Sequence, residues 1–427
     1  MSTTAHRNSI LNAQGFTLPL RMEDHLFQFD NVEFISARGL APLAASGLVL
    51  HGANGRYGDG VGVYDGQTNL ITNGNFENGL TGWGKSTGGS AVADATIVPH
   101  GRMSQDAILF RATATGTWIV YHNNSFQSHV FDTTKRYALG FWYKAYDGDG
   151  FYERNVSIRR SDGSNVVMNN VAFTPTDKWQ YFEHAFNPLA AGSTPQLYIT
   201  DGLRLNAGFL ICEAVLVQND VARPYFSGTV PGASLSYDIS HMHLKDKGGV
   251  ACWIRNSKFI RDINNSKAEN IYPLKLTSLA SSDFYADMVA FAKGNGESKV
   301  RFWSTGGGGG TTRVDDHLYP SMVQSSIPER DWFHVVMQWD KAGLPSGFTK
   351  ELYINGVLQG AVSTTDALPQ RVLTRLFVGT WDGSYGRPQA DFSDLVVSRR
   401  TFTDDEIDLI SRSGSSLYDP YDVRIIV

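Results

Sequence analysis

Apolar and polar positions alternate along most of this chain in short runs, each closed by Gly, Asn, Asp or Pro. In YALGFWYKAY, residues 137–146, Tyr137, Leu139, Phe141 and Tyr143 fall on one face and Trp142, Lys144 and Tyr146 on the other, the period of a strand with one buried face. AILFRATA, TWIVYHN, NVSIRRS, WQYFEHAF, QLYITDG and FLICEAVLVQND repeat this habit and predict a sandwich of strands over 67–227. FTLPL, HLFQF, VEFI, LVLHG and GVGVYDG predict strands or extended arms within 1–66. A second sandwich is expected over 228–427, from DWFHVVMQWD, ELYINGVLQG and RLFVGTWDG. Asn355-Gly356 is a two-residue hairpin signal, because both central positions of that turn need positive φ. Thr403 with Glu406 forms a capping box that predicts one short helix, Asp404 to Ile410. The pattern is therefore all-β, with two β-sandwich domains, an N-terminal extended segment and one short C-terminal helix.

Composition agrees. Among 427 residues, 43 glycines against 15 prolines, with 12% aromatics, favour short strands and tight turns. The formal net charge of -5 is spread along the chain and leaves no basic stripe to follow a phosphate backbone, so nucleic acid is not an expected partner. The first fifteen residues are polar and lack the apolar run of a secretory signal, and no stretch approaches the roughly 18 apolar residues of a membrane span. The expectation is a protein made in, or at least not classically exported from, a cytoplasm, without membrane insertion. Cys212 and Cys252 each sit in an apolar run and read as buried free thiols.

Two segments carry family resemblance. TNLITNGNFENGLTGWGK resembles the opening of family 4/9-type carbohydrate-binding modules, matched at Asn73, Phe76, Glu77, Gly82 and Trp83. RYGDGVGVYDG resembles the early hairpin of a laminin-G-like domain, and the three strands after residue 330, running on into FSDLVVSRRTFTDDEIDLI, resemble laminin-G or concanavalin A-like jelly rolls. Residues 67–227 then form either a module inserted into a jelly roll whose first strands precede residue 67, or one bead in a string.

Chemistry is sparse. The Glu-x-Asp-x-x-Glu strand of jelly-roll glycosidases is absent, as are His-Glu-x-x-His, Gly-x-Ser-x-Gly and a P-loop, so no enzyme is expected. Glu406 and Asp408 read as a solvated helix face, and Asp391 and Asp394, three apart on a predicted strand, as facing opposite sides. His241 and His243 share a face of a predicted strand without an evident third metal ligand. The glycine run 306–310 reads as a hairpin tip.

Sugar recognition by sandwiches uses aromatic faces with polar side chains beside them. The candidates are Trp118, Trp142 and Tyr152 in the middle module, and Trp381, Asp382 and Tyr385 in the loop WDGSYGRP, with Trp303 before the glycine run. Trp142 reads either as a sugar platform or as packed against a neighbouring domain or subunit, while Trp332 and Trp339 read as core. The module resemblance implies a structural calcium at Glu77, and Asp147 and Asp149 read as a plain turn or as further oxygen ligands.

The pairing of these sandwiches, and the run from Tyr57 to Glu77, resemble virion structural proteins of tailed bacteriophages. That resemblance implies a tail, fibre or capsid decoration in the virion, oligomeric, held by other virion proteins and touching host-surface glycans. A purely structural assembly component and a secreted polysaccharide-binding protein are the alternatives.

Overall fold

The computed structural model describes residues 61–87, 93–99, 106–112, 119–126, 128–146, 152–160, 166–191, 194–201, 208–222, 225–256, 269–278, 287–294, 300–306, 332–363, 368–380 and 388–412, with the strand segments Leu18–Leu20, Asp24–Phe27, Pro42–Ser46, Val49–Leu50 and Tyr418–Val423. They form two compact units, one of residues 1–65 with 232–427 and one of 66–231. The second unit therefore interrupts the first in sequence. Entry and exit run side by side, since Ala233 N donates to Tyr64 O at 2.8 Å and Gln67–Thr68 pairs with Thr229–Val230.

Among the described residues, unit 66–231 holds two five-stranded sheets besides the Gln67–Thr68 and Thr229–Val230 pair. One runs Val166–Phe173, Arg154–Arg160, Pro195–Asp201, Ile119–Asn123, Trp83–Thr87; the other runs Gln180–Phe186, Tyr137–Ala145, Gly208–Val217, Ala107–Ala112, Ala93–Val98. All their pairings are antiparallel. Tyr137, Leu139, Phe141 and Tyr143 point into the shared core with Phe110, Phe173 and Phe209, as the alternation predicts. Gly208–Val217 is buried along its whole length, and a bulge at Glu213, φ 57°, shifts its register against Tyr137–Ala145.

The asparagines of TNLITNGNFENG are structural. Asn69 sends Nδ2 to Ala214 O (3.3 Å) and Phe226 O (3.0 Å) and accepts at Oδ1 from Ile71 N and Leu216 N, both 3.0 Å. Asn73, at φ 55°, closes the next turn by donating to Gly79 O and Thr81 O and accepting from Asn78 N. Trp83 Nε1 donates to Asn73 O, and its ring meets Phe76 at 5.1 Å. Short amides satisfying backbone groups that no ladder reaches explain why this segment is Asn-rich.

The other unit pairs a six-stranded with an eight-stranded sheet. The six run Arg301–Thr305, Met288–Lys293, Ile271–Thr277, Arg375–Val378, Ser234–Asp238, Pro42–Ser46. The eight run Val357–Val362, Lys350–Ile354, Trp332–Asp340, Lys247–Asn256, Ala390–Ser398, Val61–Val63, Val49–Leu50, with Asp24–Phe27 also on Ala390–Ser398. Strands before residue 66 thus complete sheets built from residues after 232. Asp391 anchors this join, accepting from Tyr64 Oη at 2.6 Å and from Arg255 Nε and Nη2 at 2.9 and 2.7 Å. The hairpin at Asn355-Gly356 has φ of 50° and 79°, as a type I′ turn requires.

The helix, α1, spans Asp404–Arg412, two residues longer than predicted. Its capping box is present, with Glu406 N donating to Thr403 Oγ1 (3.2 Å) and Thr403 N to Glu406 carboxylate (2.8 Å). Ile407 and Ile410 pack on Ala251, Val336, Tyr353 and Val396, covering part of the eight-stranded sheet's outer face. Beneath it Glu351 accepts from Gln338 Nε2 (2.8 Å), Tyr353 Oη (2.9 Å) and Ser346 Oγ, and burial, with Glu351 next, pushes the Tyr353 phenol well up.

Five expectations need correction. Glu406 is not a solvated face: its carboxylate is buried and held by Arg400 at 2.7 Å, an ion pair three-residue spacing alone does not reveal. His241 lies in a 3-10 turn, Ser240–Met242, and His243 caps it at φ 50°, because the strand ends at Asp238. Asp394 has φ 46° at a bulge, so strict alternation with Asp391 fails. Trp303, a binding candidate, lies on a strand, 4% exposed and stacked on Tyr272 at 5.8 Å, so its ring is packed rather than presented. Trp339 is core, whereas Trp332 is half-buried under the Arg255 guanidinium at 5.2 Å. Both cysteines are buried and free, as expected.

Candidate functional site

Of the residues singled out for binding, Trp142, Tyr152 and Glu77 are described; Trp118, Asp147, Asp149, Trp381, Asp382 and Tyr385 lie outside the described residues. Trp142 is half-buried, faces its cross-strand partner Tyr181 at 5.0 Å and packs on the module's own core. Tyr181 crosses Gly140, where an added Cβ would meet its hydroxyl at 2.2 Å, and donates to Ala222 O. Much of that sheet's outer face is closed further along by Val215, Val217 and Ala222. Tyr152 sits beside the fully buried Arg154, whose guanidinium lies 5.9 Å from the Tyr152 ring and 5.2 Å from Phe209.

The outer face of the other sheet is different in kind. Val156, Ile158, Leu197 and Ile199 point into the core, so Asn155, Ser157, Arg159, Gln196 and Tyr198 point away from it. Register places Ser157 opposite Tyr198 and Arg159 opposite Gln196. Arg159 Nε donates to Ser157 Oγ (3.2 Å) and Nη2 to Asn170 Oδ1 (2.8 Å); Tyr198 Oη donates to Gln196 Oε1 (2.7 Å). The Arg159 guanidinium and the Tyr198 phenol ring are half-exposed on this face with the exposed Asn170 amide, while Ser157 and Gln196 are buried beside them as their hydrogen-bond partners. Such a surface offers donors and acceptors for ring hydroxyls and an aromatic flank for a sugar's apolar side. Sequence reading missed it because NVSIRRS and QLYITDG show which residues alternate but not which strands adjoin.

Glu77 is exposed at the turn after Asn73. Tyr225 lies over this turn, its phenol pushed up by burial first and then by the Glu77 and Glu213 carboxylates. Carboxylates are hard oxygen donors of the kind calcium takes, and Glu213 is the one near Tyr225 that the sequence did not indicate. Among the described residues no group of three or more His, Cys, Asp or Glu gathers, so the donor set does not resemble a transition-metal centre.

Comparison with known proteins places the same two sandwiches. Residues 68–205 match the family model described as a carbohydrate binding domain, and residues 271–408 match the concanavalin A-like lectin/glucanases superfamily. Among solved structures, the chain is similar to the CBM22-1 xylan-binding domain of Paenibacillus barcinonensis Xyn10C, at 16% identity over 37% of this chain and 97% of that one, TM-score 0.27. A family 16 carbohydrate binding module matches at 26% identity over 35% of this chain and 99% of that one, TM-score 0.26. Tailspike protein 4 of bacteriophage CBA120 matches at 15% identity and TM-score 0.28 over 36% of this chain, which spans 22% of the tailspike chain. No curated protein matches.

Proposed function

We propose that this chain is a non-catalytic glycan-binding display protein of a tailed-phage virion, its carbohydrate-binding module and lectin-like sandwich presented to host-surface polysaccharide. The observation that carries glycan binding is the polar sheet face of Arg159, Asn170 and Tyr198, held by the buried Ser157 and Gln196, in a unit whose sequence matches a carbohydrate-binding model. The virion assignment rests on the resemblance running from Tyr57 to Glu77. Copies assembled with other virion proteins would add weak sites into avid attachment.

A glycan array with the full chain tests recognition. Arg159→Ala and Tyr198→Ala each weaken the best-bound glycan about tenfold, the loss of one charged hydrogen bond or one stacking ring, while the melting temperature stays within about 2 °C. No binding at millimolar sugar, with stoichiometric recovery of the chain in purified virions, would leave a purely structural role. Release of reducing sugar, abolished by one carboxylate substitution, would overturn the non-catalytic reading.

Calcium at Glu77 and Glu213 serves the fold in this reading, tying the opening turn to the Gly208–Val217 strand. Millimolar calcium is expected to raise the melting temperature of the 66–231 unit by several degrees, an effect reversed by chelator and lost in Glu213→Gln. An identical melting curve with and without calcium removes the ion from the account.

A further inference from the structure

A cleft of 1040 Å³ opens at one end of the jelly-roll unit. Strand direction creates it. Lys247–Asn256 starts here, while its antiparallel neighbours Trp332–Asp340 and Ala390–Ser398 end here, so Lys247 pairs with Asp340 and Gly249 with Ser398. Three chain segments separated by about a hundred or fewer residues thus bring Lys245, Lys247, Lys341 and Arg399 to one opening. Arg400 also lines it, but is committed to Glu406.

The opposing charge is small. Asp246 and Asp340 line the cleft too, and Asp340 Oδ1 is occupied in a turn by Ala342 N at 2.8 Å. Among the described residues no ion pair neutralises Lys245, Lys247, Lys341 or Arg399. In a chain of formal net charge -5 this is a local reversal of sign. The backbone beneath it is fixed. Trp339 Nε1 donates to Lys245 O (3.0 Å), Lys341 N to Asp246 O (2.8 Å) and Leu373 N to Leu244 O (2.7 Å). Trp339 and Phe402 pack so closely on Gly248 and Gly249 that a Cβ at either would lie 2.6 Å from a ring.

We infer that this cleft binds an acidic polysaccharide through its anionic groups. This rests on the reading of the chain as a glycan binder and assigns it a second site of different chemistry. The lining holds no Trp, Tyr or Phe, so it lacks the stacking surface that holds neutral sugars and the platform on which single-stranded bases stack. What it offers is clustered positive charge in a space large enough for roughly two or three sugar rings. Four cations around one opening also fall short of the long stripe that duplex DNA engages.

The test uses the full chain with polygalacturonate, dextran sulfate, neutral dextran and duplex DNA as probes, so that carboxylate and sulfate sources are separated. At least one acidic polymer is expected to bind, neutral dextran is not, and raising NaCl from about 50 to 300 mM should weaken binding about tenfold. Lys247→Glu/Arg399→Glu, at two exposed positions, weakens acidic binding tenfold or more; Lys341→Ala weakens it less; Arg159→Ala leaves it unchanged. Wild-type binding of the acidic polymers by the double variant, equal binding of dextran, or tighter binding of DNA would each overturn the assignment. Binding of a neutral glycan that depends on Tyr198 while acidic polymers fail would sink this inference alone. Failure of every glycan would sink the glycan-binding reading with it.

Discussion

Asn69→Ala is expected to destabilise the 66–231 unit by about 4 kcal/mol, lowering its melting temperature by roughly 10 °C. The side chain is buried and makes four hydrogen bonds to backbone groups of three different segments. Alanine leaves Ile71 N, Leu216 N, Ala214 O and Phe226 O to find partners in a space too small to admit water to all of them. The opening of the module is tied to its central strand through this residue, so entry and exit loosen together. Calorimetry on the full chain should show the transition of this unit moving while that of the jelly-roll unit holds. A shift below about 2 °C, or an equal shift of both transitions, would show that Asn69 is not the clamp.

Gly379→Ala should cost the jelly-roll unit about 3 kcal/mol, through two separable effects. Gly379 has φ 70°, where an L side chain loses about 1–2 kcal/mol. Its added Cβ would lie 2.6 Å from both Cβ and Cγ1 of Val63, a fully buried core residue, and such overpacking costs a further 1–3 kcal/mol. The contact joins a strand before residue 66 to one after 370, so the variant also probes whether the early segment belongs to this unit's core. In Gly379→Ala/Val63→Ala the contacts with Cγ1 and Cγ2 disappear, while the contact with the Val63 Cβ and the strain remain. The double variant is therefore expected to be at least about 1 kcal/mol more stable than the sum of the single effects by denaturant titration. Strict additivity would mean that the two positions do not touch.

These residues also mark what the chain reveals when read linearly. Period-two alternation in YALGFWYKAY assigned the core face of its strand correctly, because a pleated strand must send neighbours to opposite sides whatever lies around it. Local turn chemistry was equally legible: Asn355-Gly356 and the Thr403–Glu406 box act within three or four residues, so no distant contact can rewrite them. The same locality explains the failures. Alternation was broken at Asp394 by a bulge against Lys247–Asn256, a strand some 140 residues away in sequence. Trp303 looked like a binding candidate because only its neighbours in sequence were visible, whereas the Met288–Lys293 and Ile271–Thr277 strands are what bury it.

By itself, then, the sequence determined that the chain is all-β, where the Asn355-Gly356 turn and the Asp404–Arg412 helix fall, and that two sandwiches of recognisable type are present. Only the tertiary structure decided that strands before residue 66 complete sheets begun after residue 232, that Arg159 and Tyr198 share a face with Ser157 and Gln196, and that four cations converge on one end of the jelly roll. The physical reason is that side-chain direction follows from two or three adjacent residues, while a site is a property of which strands adjoin. Strand adjacency is settled by burial and ladder hydrogen bonds between segments far apart in the chain.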